Sequence, residues 1–320
     1  IETPTSPEAL LKEIKALGKI KFKVTRVENR TTHFHVEADR AGAEYSATWL
    51  GSWTDTKPLK LKNLRVKNFE CIISEGRWFH DVTNTVIGKN PRFKPQVLHG
   101  IDHWAQRITR IGDLSLTGHH GLAVGDVNGD SLEDLYVCDG GSLPNQLYLQ
   151  QTDGTAKEVA LDWGVAWLED SRSALFVDLD DDGDQDLVVA TIAMIAFAEN
   201  LDNQAFKLRG GFPGAPYPFS LSAADFDLDG DLDIYTCIYG AGDQPKKRGF
   251  EASSPTPFND AENGGRNVLL SNLGGFQFAD VTREVGLDQN NTRWSFSASW
   301  EDYDREGDPD LYVLSLIHIS

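Results

Sequence analysis

Four nine-residue segments share one acidic pattern: DVNGDSLED (126–134), DLDDDGDQD (178–186), DFDLDGDLD (225–233) and DYDREGDPD (302–310), here called loops 1 to 4. Side chains that carry oxygen occupy positions 1, 3, 5 and 9 of every loop, whereas position 7 varies. Position 6 is glycine in loops 2 to 4 and serine in loop 1, and a tight turn at this point needs a permissive backbone. A solvated acidic turn requires no fixed spacing, so four copies in register indicate a common structural role.

This spacing predicts a Ca²⁺ loop. Ca²⁺ takes roughly six to eight hard oxygen ligands in flexible geometry, and without a cation neighbouring carboxylates repel by roughly 4 kcal/mol per pair at an effective dielectric near 20. Position 7 is expected to contribute its backbone carbonyl, because its side chain varies. The predicted metal ligands are Asp126, Asn128, Asp130, Leu132, Asp134, Asp178, Asp180, Asp182, Asp184, Asp186, Asp225, Asp227, Asp229, Asp231, Asp233, Asp302, Asp304, Glu306, Asp308 and Asp310.

The segments beside the loops favour strands over helices. An EF-hand needs a glutamate at position 12 and two flanking helices, but position 12 here is Val137, Val189, Thr236 and Val313. The flanking runs, such as SALFV before loop 2 and LVVA after it, are rich in residues that favour strands. Each repeat is therefore predicted to be a strand, a Ca²⁺ loop and a second strand.

The repeats return with a period near 50 residues. Successive loops start 52, 47 and 77 residues apart, and the longest interval contains a Gly/Pro-rich insert at 240–265. Additional short strand-like runs complete each period, for example IAFAEN and AFKLRG after loop 2. Four short strands per period predict the blades of a β-propeller, in a chain that is mainly β.

These residues resemble the FG-GAP/VCBS repeats of the integrin-α-type β-propeller, and they are similar to bacterial cartilage-acidic-protein-like proteins. The resemblance covers about residues 76–313, and its specific part is the DxDxDGxxD loop. Because such propellers commonly have more blades than four, it implies an incomplete ring. It also implies a ligand on the face opposite the Ca²⁺ loops. Residues 314–320 (LSLIHIS) break the strand pattern, so we predict that they form a non-native tail.

The first 75 residues are predicted to form a small α+β domain that weakly resembles the NTF2/SnoaL-like fold. An amphipathic helix is expected over 7–17 (PEALLKEIKAL), followed by four alternating strands. RWFHDVT (77–83) matches FQFADVT (276–282), so it is predicted to be the strand that begins the propeller. Aromatic residues of the small domain, Trp49, Trp53 and Phe69, either pack in its core or line a pocket for a small molecule.

Charge is concentrated in the four loops. They contain 20 acidic residues and one basic residue, so their net charge equals the formal net charge of −19 of the whole chain. A protein that binds a phosphate backbone would be basic, which argues against a nucleic-acid partner. No apolar run is long enough to span a membrane. Three cysteines make no disulfide framework, and Cys138 and Cys237 are predicted to be equivalent buried strand positions.

Candidate ligand-binding residues outside the loops are Asp139, Trp163 and Trp167. In an antiparallel meander, the turns alternate between the two ends of the sheet. The inserts at 84–118 and 240–265 therefore share the end opposite the Ca²⁺ loops, where long loops are often functional. Exposed indoles can stack on sugars, and the alternative for both tryptophans is packing in the core.

The leading hypothesis is a calcium-binding β-propeller that acts as an extracellular or periplasmic adhesion or recognition module, with structural metals and a protein or glycan ligand. Extracellular Ca²⁺ modules bind with affinities of about 10⁻⁴–10⁻³ M, too weak for a cytosol low in calcium, so an exported protein is expected. The alternative is a glycan-active propeller, either a polysaccharide lyase or a lectin. The sequence contains neither GxSxG nor HExxH, which favours a protein that is not an enzyme.

Overall fold

The computed structural model describes residues 19–40, 43–73, 79–99, 103, 107, 121–139, 143–215, 217–240 and 261–315. These residues form four four-stranded antiparallel sheets and one two-stranded sheet, so the prediction of a mainly β chain is confirmed. The chain divides into two compact units, Ile1–Asp81 and Val82–Ser320. Within the described part, no helix has the length and apolar character needed to cross a membrane.

The first unit contains one meander of four strands, as the alternating pattern predicts. Its strands are β1 (Ile20–Glu28), β2 (Thr31–Arg40), β3 (Ala43–Trp53) and β4 (Leu61–Ile73), paired in chain order. Directly paired residues share a face of the sheet, and apolar pairs such as Phe34–Trp49 lie on one face while Lys21–Glu37 lies on the other. The predicted helix at 7–17 lies outside the described residues.

The segment between the two units differs from the prediction. Phe79–Val82 belong to no strand, and Thr83–Ile87 form a short helix, α1, followed by a π-helix at Phe93–Val97. The prediction of a strand over 77–83 is therefore wrong in its described part. Downstream of this helix, the side chain of Asn90 bonds the strand edge at residues 156–158: it donates to the Ala156 carbonyl and accepts from the Glu158 N–H.

The second unit repeats a four-stranded meander three times and then adds a pair of strands. Sheet 1 consists of β5 (Leu122–Gly125), β6 (Asp134–Val137), β7 (Gln146–Gln150) and β8 (Ala156–Glu158). Sheet 2 consists of β9 (Ser171–Val177), β10 (Asp186–Thr191), β11 (Ile195–Leu201) and β12 (Ala205–Phe212). Sheet 3 consists of β13 (Pro218–Ala224), β14 (Asp233–Ile238), β15 (Val268–Asn272) and β16 (Phe278–Asp280), and sheet 4 of β17 (Ser295–Glu301) and β18 (Asp310–Ser315).

Each acidic loop joins the first and second strands of its sheet, as predicted. The four-strand period near 50 residues is confirmed in sheets 1 to 3. The strand pattern continues past the predicted boundary at residue 313, because Leu314 pairs with Ser297 and Ser315 pairs with Ser295. Of the predicted non-native tail 314–320, residues 316–320 lie outside the described part.

The hydrophobic core lies between successive sheets. First strands contact one another in the order β5, β9, β13 and β17, so each sheet faces the next. One core cluster joins sheets 1 and 2, a second joins sheets 2 and 3, and a third joins sheets 3 and 4. All residues of β10, β14 and β15 are buried because these strands lie inside their sheets and are covered on both faces. Cys138 and Cys237 are free and buried, as predicted.

Candidate metal sites and the opposite end of the sheets

The carboxylate at position 1 organises the turn of the loop. In loop 3 the side chain of Asp225 accepts the N–H groups of Asp229 and Gly230, at 3.0 and 3.1 Å. Corresponding bonds tie position 1 to positions 5 and 6 in loops 1 and 4. Position 6 has φ between 67° and 101° in all four loops, a range that glycine adopts readily. Ser131 of loop 1 therefore has a backbone conformation that residues other than glycine rarely adopt.

The carboxylate at position 9 holds the loop closed. Its Oδ2 atom accepts the N–H of position 2 in every loop, at distances of 3.0 to 3.1 Å from Val127, Leu179, Phe226 and Tyr303. The sequence pattern assigned position 9 to metal binding alone. The structure adds a backbone contact that fixes the loop to the start of the second strand.

In sheets 1 to 3 the same carboxylate also bonds the third strand. Its Oδ1 atom accepts the N–H of Gln150 at 2.8 Å, of Asn200 at 2.8 Å and of Asn272 at 2.9 Å. The three aspartates concerned, Asp134, Asp186 and Asp233, are at most 1% exposed. Burial raises the pKa of Asp134 and Asp233 to about 6 and the pKa of Asp186 to about 7, and the two N–H bonds oppose that rise.

Two asparagines at the ends of third strands connect neighbouring sheets. Asn200 Nδ2 donates to the Val127 carbonyl of loop 1 at 2.9 Å, and Asn272 Nδ2 donates to the Leu179 carbonyl of loop 2 at 2.8 Å. Each asparagine thus binds position 9 of its own loop through the main chain and position 2 of the preceding loop through the side chain. We call this pair of contacts the Asn clasp. Sequence analysis missed it, although NQLYLQ, IAFAEN and NVLLSN all end in an amide side chain.

Three of the loops bring carboxylates together closely enough to hold a metal ion. Ligand atoms lie within 4.8 Å of one another in each group: Asp178, Asp180 and Asp186; Asp225, Asp227 and Asp229; and Asp302, Asp304 and Asp310. Within the described residues of loop 1 no such group of three forms. Position 3 of loop 1 is Asn128, an amide where loops 2 to 4 have a carboxylate.

Loop 2 has the strongest structural requirement for a cation. One oxygen each of Asp178, Asp180 and Asp184 is buried without a hydrogen-bond partner. Burial, followed by the negative charges of Asp182 and Asp180, raises the pKa of Asp184 to about 6. Oxygen atoms that are buried, anionic and unpaired are costly unless a positive charge compensates them. The donor set therefore fits a hard cation, and at position 7 the Asp184 side chain offers an oxygen where the sequence pattern predicted only a backbone carbonyl.

The predicted ligand-binding residues contact other parts of the chain. Asp139 accepts a hydrogen bond from Gln96 Nε2 at 3.1 Å, and Gln96 also donates to the Pro144 carbonyl. Trp163 is 8% exposed and packs against Phe206 in the core between sheets 1 and 2. Trp167 lies against the same core, and its Nε1–H donates to the Gly164 carbonyl. Both tryptophans thus follow the packing alternative, and the buried ring of Trp163 offers no stacking surface.

Aromatic residues gather at the strand ends opposite the acidic loops. The ring of Tyr239 lies 5.1 Å from Phe219, 4.5 Å from Phe296 and 5.2 Å from Trp294, measured between ring centroids. The side chains of Phe219, Tyr239 and Phe296 are partly exposed, so this aromatic cluster reaches the surface. Its members come from β13, β17 and the residues beside β14 and β17. No single stretch of sequence contains them, and this explains why the sequence did not predict the cluster.

The first unit contains a separate cavity of about 300 Å³. Its lining is dominated by charged residues, among them Lys19, Lys21, Glu37 and Glu70. Trp49, Trp53 and Phe69, which the sequence suggested as pocket residues, do not line it. The aromatic-pocket hypothesis for this unit therefore gains no support from the cavity that the described residues form.

One comparison with known proteins, the family model, matches the repeats. The family model of the FG-GAP-like repeat matches residues 126–189 and, in an overlapping second copy, residues 178–236. No curated protein matches the chain. Among solved structures, the chain is similar to the Tc holotoxin pore of Photorhabdus luminescens, with 13% sequence identity and a TM-score of 0.31. That match covers 81% of this chain and 12% of the toxin chain.

Proposed function

We propose that this FG-GAP repeat protein is a calcium-stabilised recognition module that binds a protein or glycan ligand at the end of its sheets opposite the acidic loops. The observation that carries the proposal is the set of three buried, unpaired carboxylate oxygens in loop 2, supplied by Asp178, Asp180 and Asp184. The metal is structural in this proposal, and the ligand is bound elsewhere.

Ca²⁺ suits these loops better than other common metals. The donors are carboxylate and carbonyl oxygens, and the described residues of loops 2 to 4 offer neither histidine nor cysteine, so soft-ligand metals are disfavoured. Mg²⁺ demands near-ideal octahedral geometry and releases water reluctantly. A flexible loop with more than four acidic side chains can satisfy the larger coordination number of Ca²⁺ more readily. The residues proposed to hold it are those at positions 1, 3, 5, 7 and 9.

A bound cation would lock each sheet to its neighbour. Position 9 already bonds position 2 and the third strand, and the Asn clasp carries this connection to the preceding loop. Neutralising the carboxylates removes the repulsion that otherwise strains this junction. We therefore infer that metal binding rigidifies the whole row of sheets, in an arrangement of β-propeller type.

The aromatic cluster is the proposed recognition surface. Phe219, Tyr239 and Phe296 present ring faces and edges at one end of sheets 3 and 4, where the insert at 240–265 begins. Arg172 lies 5.9 Å over the ring of Tyr217 at the same end of sheets 2 and 3, and its guanidinium also forms a salt bridge with Asp170 at 3.3 Å. Aromatic rings beside an arginine are typical of protein interfaces and of surfaces that stack on sugars.

An extracellular or periplasmic location follows if the Ca²⁺ affinity is that of extracellular modules. Loops with exposed ligands, such as those of loop 4, are expected to bind with dissociation constants near 10⁻⁴–10⁻³ M, which a calcium-poor cytosol would leave unfilled. The proposed location therefore depends on the measured affinity.

The second candidate is a glycan-active propeller, and the aromatic cluster is the observation that favours it. A lectin would bind a sugar there without changing it. A polysaccharide lyase would need a base positioned beside the substrate. Production of unsaturated ends from a uronic-acid polymer would identify the lyase, and binding without turnover would identify the lectin.

Thermal unfolding tests the metal proposal. We expect Ca²⁺ at about 2 mM to raise Tm by several degrees relative to chelator, with a smaller shift in Mg²⁺, because only the folded loops bind the ion. Asp180→Asn should reduce the shift. Asp181→Asn is the matched control: it removes the same charge from position 4 of the same loop, where the positive φ of 59° also suits asparagine. Equal Tm values in all three solutions would reject the metal proposal.

Recognition is tested separately with the calcium-loaded chain. Tyr239→Ala should weaken binding to any glycan or protein ligand found by array screening, whereas Tyr303→Ala, at a tyrosine 89% exposed in loop 4, should leave binding unchanged. Equal binding by both variants would remove the aromatic cluster from the proposed surface.

A further inference from the structure

Loop 1 differs from the other loops at position 3. The groups of carboxylates in loops 2, 3 and 4 all include position 3, as Asp180, Asp227 and Asp304. Loop 1 has Asn128 there, followed by Gly129, which has a φ of 72°. An Asn–Gly pair therefore stands in loop 1 where each of the other loops has a carboxylate that belongs to its group.

Asparagine loses its side-chain amide most readily before glycine, because glycine has no Cβ to hinder the attack of its main-chain nitrogen. The chain contains two Asn–Gly pairs, Asn128–Gly129 and Asn263–Gly264. The glycine nitrogen bonds to the asparagine Cγ, its proton leaves with the amide nitrogen as ammonia, and a succinimide ring remains. Water then breaks one of the two C–N bonds of the ring: the bond at Cγ gives aspartate, and the main-chain bond gives isoaspartate. Each step is redox-neutral, and water is the only co-reactant.

The structure leaves the glycine nitrogen of the first pair accessible and holds that of the second. Gly129 is exposed, and within the described part of the chain its N–H donates to no acceptor. Gly264 is buried, and its N–H donates to the Thr292 carbonyl at 2.8 Å. The asparagine side chain before Gly264 is held as well, because its Oδ1 atom accepts the Trp294 Nε1–H at 3.0 Å. Attack is therefore expected at Asn128 first.

A carboxylate at position 3 fits the contacts that Asn128 already makes. Asn128 Oδ1 accepts the Asp130 N–H at 3.0 Å, and in loop 4 the carboxylate of Asp304 accepts the Glu306 N–H in the same way, at 3.1 Å. Asn128 Nδ2 also donates to Asp130 Oδ2 at 3.1 Å. Deamidation replaces this last bond by the repulsion of two neighbouring carboxylates, which a cation held between them would remove.

We propose that Asn128–Gly129 is a deamidation site, and that its aspartate product raises the affinity of loop 1 for a divalent cation by supplying the carboxylate that loops 2 to 4 have at position 3. The gain in affinity rests on the proposed function, which takes the acidic loops as cation sites. The charge of the ligands sets the affinity of such sites for Ca²⁺. Loop 1 thus matures after synthesis by uncatalysed hydrolysis. The isoaspartate product lengthens the main chain and is expected to disrupt the loop instead.

The first test follows deamidation in the full chain, kept folded in chelator at mildly alkaline pH and body temperature. Peptide mapping by mass spectrometry gives the fraction of acid at each asparagine. We expect Asn128 to deamidate at least about tenfold faster than Asn263, because the Gly264 N–H is held by its hydrogen bond. In urea, which unfolds the chain, the two rates should converge. Equal rates in a sample whose circular dichroism shows it to be folded would overturn the modification site.

The second test uses Asn128→Asp, which makes the aspartate product directly, with Asn128→Gln as the matched control that keeps an amide. Hydrogen exchange of the loop 1 amides, followed as Ca²⁺ is added, reports the affinity of that loop. We expect a dissociation constant at least about fivefold lower in Asn128→Asp than in Asn128→Gln. Equal constants in variants whose loops 2 to 4 still respond to Ca²⁺ would overturn the gain in affinity. If no loop responds in either variant, the proposed function fails with that gain, while the peptide map still decides the modification site.

Discussion

Loops 2 and 4 have the same acidic pattern and the same turn but different surroundings. In both loops the position-9 carboxylate accepts the N–H of position 2, at 3.0 Å. Asp186 of loop 2 is fully buried and also bonds the third strand through the Asn200 N–H, whereas Asp310 of loop 4 is exposed. The turn is therefore a local property of nine residues, and the burial of its carboxylates is a property of the sheet around it.

The largest difference in the free energy of unfolding is expected between substitutions of the two position-9 aspartates, Asp186 and Asp310. Asp186→Ala should lower the free energy of unfolding by about 3–5 kcal/mol, because it leaves the buried N–H groups of Leu179 and Asn200 without an acceptor. Asp310→Ala, its exposed control, should cost about 1 kcal/mol or less. Urea unfolding in chelator, followed by circular dichroism, measures both. Equal losses would show that the third strand contributes little to the role of position 9.

A smaller difference in the free energy of unfolding is expected between substitutions of two residues near the ends of third strands, Asn272 and Gln150. Asn272→Leu should cost about 2–3 kcal/mol, because the buried carbonyl of Leu179 loses its donor and the junction between sheets 2 and 3 loosens. Gln150→Leu should cost about 1 kcal/mol or less, since leucine retains the N–H that bonds Asp134. The same unfolding experiment compares the two variants, and a costlier Gln150→Leu would contradict the Asn clasp.

Without calcium, the free energy of unfolding should change with pH as the buried aspartates Asp134, Asp186 and Asp233 titrate. Their folded pKa values of about 6 to 7 lie above the ordinary value of 3.8, so the folded state holds protons that the unfolded state releases. The associated stability is complete below about pH 4 and is lost as the pH rises through 6 to 7. In chelator we expect the free energy of unfolding to fall by about 5 kcal/mol between pH 5 and pH 8, at about 1.4 kcal/mol for each unit by which each of these pKa values lies above pH 5.

Variants identify the groups responsible for that fall. Asp186→Asn should reduce the fall by about half, because an uncharged amide replaces the group whose pKa is raised most, while Asp134 and Asp233 still titrate. A stability in chelator that rises from pH 5 to pH 8 would contradict the raised pKa values. Urea unfolding at each pH provides the measurement.

The smallest change in the free energy of unfolding is expected for substitution of Tyr312, the exposed tyrosine of β18. Tyr312→Thr should change the free energy of unfolding by about 0.5 kcal/mol or less, since the ring is 72% exposed and threonine favours strands. Tyr136→Thr, at the equivalent buried position, should cost about 3 kcal/mol or more through the cavity and the lost hydroxyl bond to the Val165 carbonyl. A large loss at Tyr312 would mean that β18 is covered.

The elements that were predicted correctly have a local cause. Four acidic loops, their flanking strands and the four-strand period follow from residue spacing, because a strand alternates every two residues and a tight turn places its own requirements on φ. The prediction of a strand at 77–83 was wrong because sequence similarity to 276–282 does not provide a neighbouring strand to pair with. In the structure Phe79–Val82 belong to no strand, and Thr83 already begins a short helix.

The candidate site was predicted only in part. Sequence spacing identified the acidic positions but gave all four loops the same role. The structure groups carboxylates in loops 2, 3 and 4, and it buries unpaired oxygens in loop 2. The sequence left two roles open for Trp163 and Trp167, packing in a core, which it favoured, and contact with a ligand. The structure packs both against the core between sheets 1 and 2.

The sequence by itself determined the repeat: where the acidic turns lie, which residues can offer oxygen to a cation, and which segments become strands. These properties depend on neighbours within about ten residues. The tertiary structure decided which carboxylates are buried, which asparagines tie one loop to the next, and which aromatic rings meet opposite the loops. Those contacts join residues as far apart as Val127 and Asn200, or Leu179 and Asn272, and their energies depend on the exclusion of water by whole sheets, which no single repeat encodes.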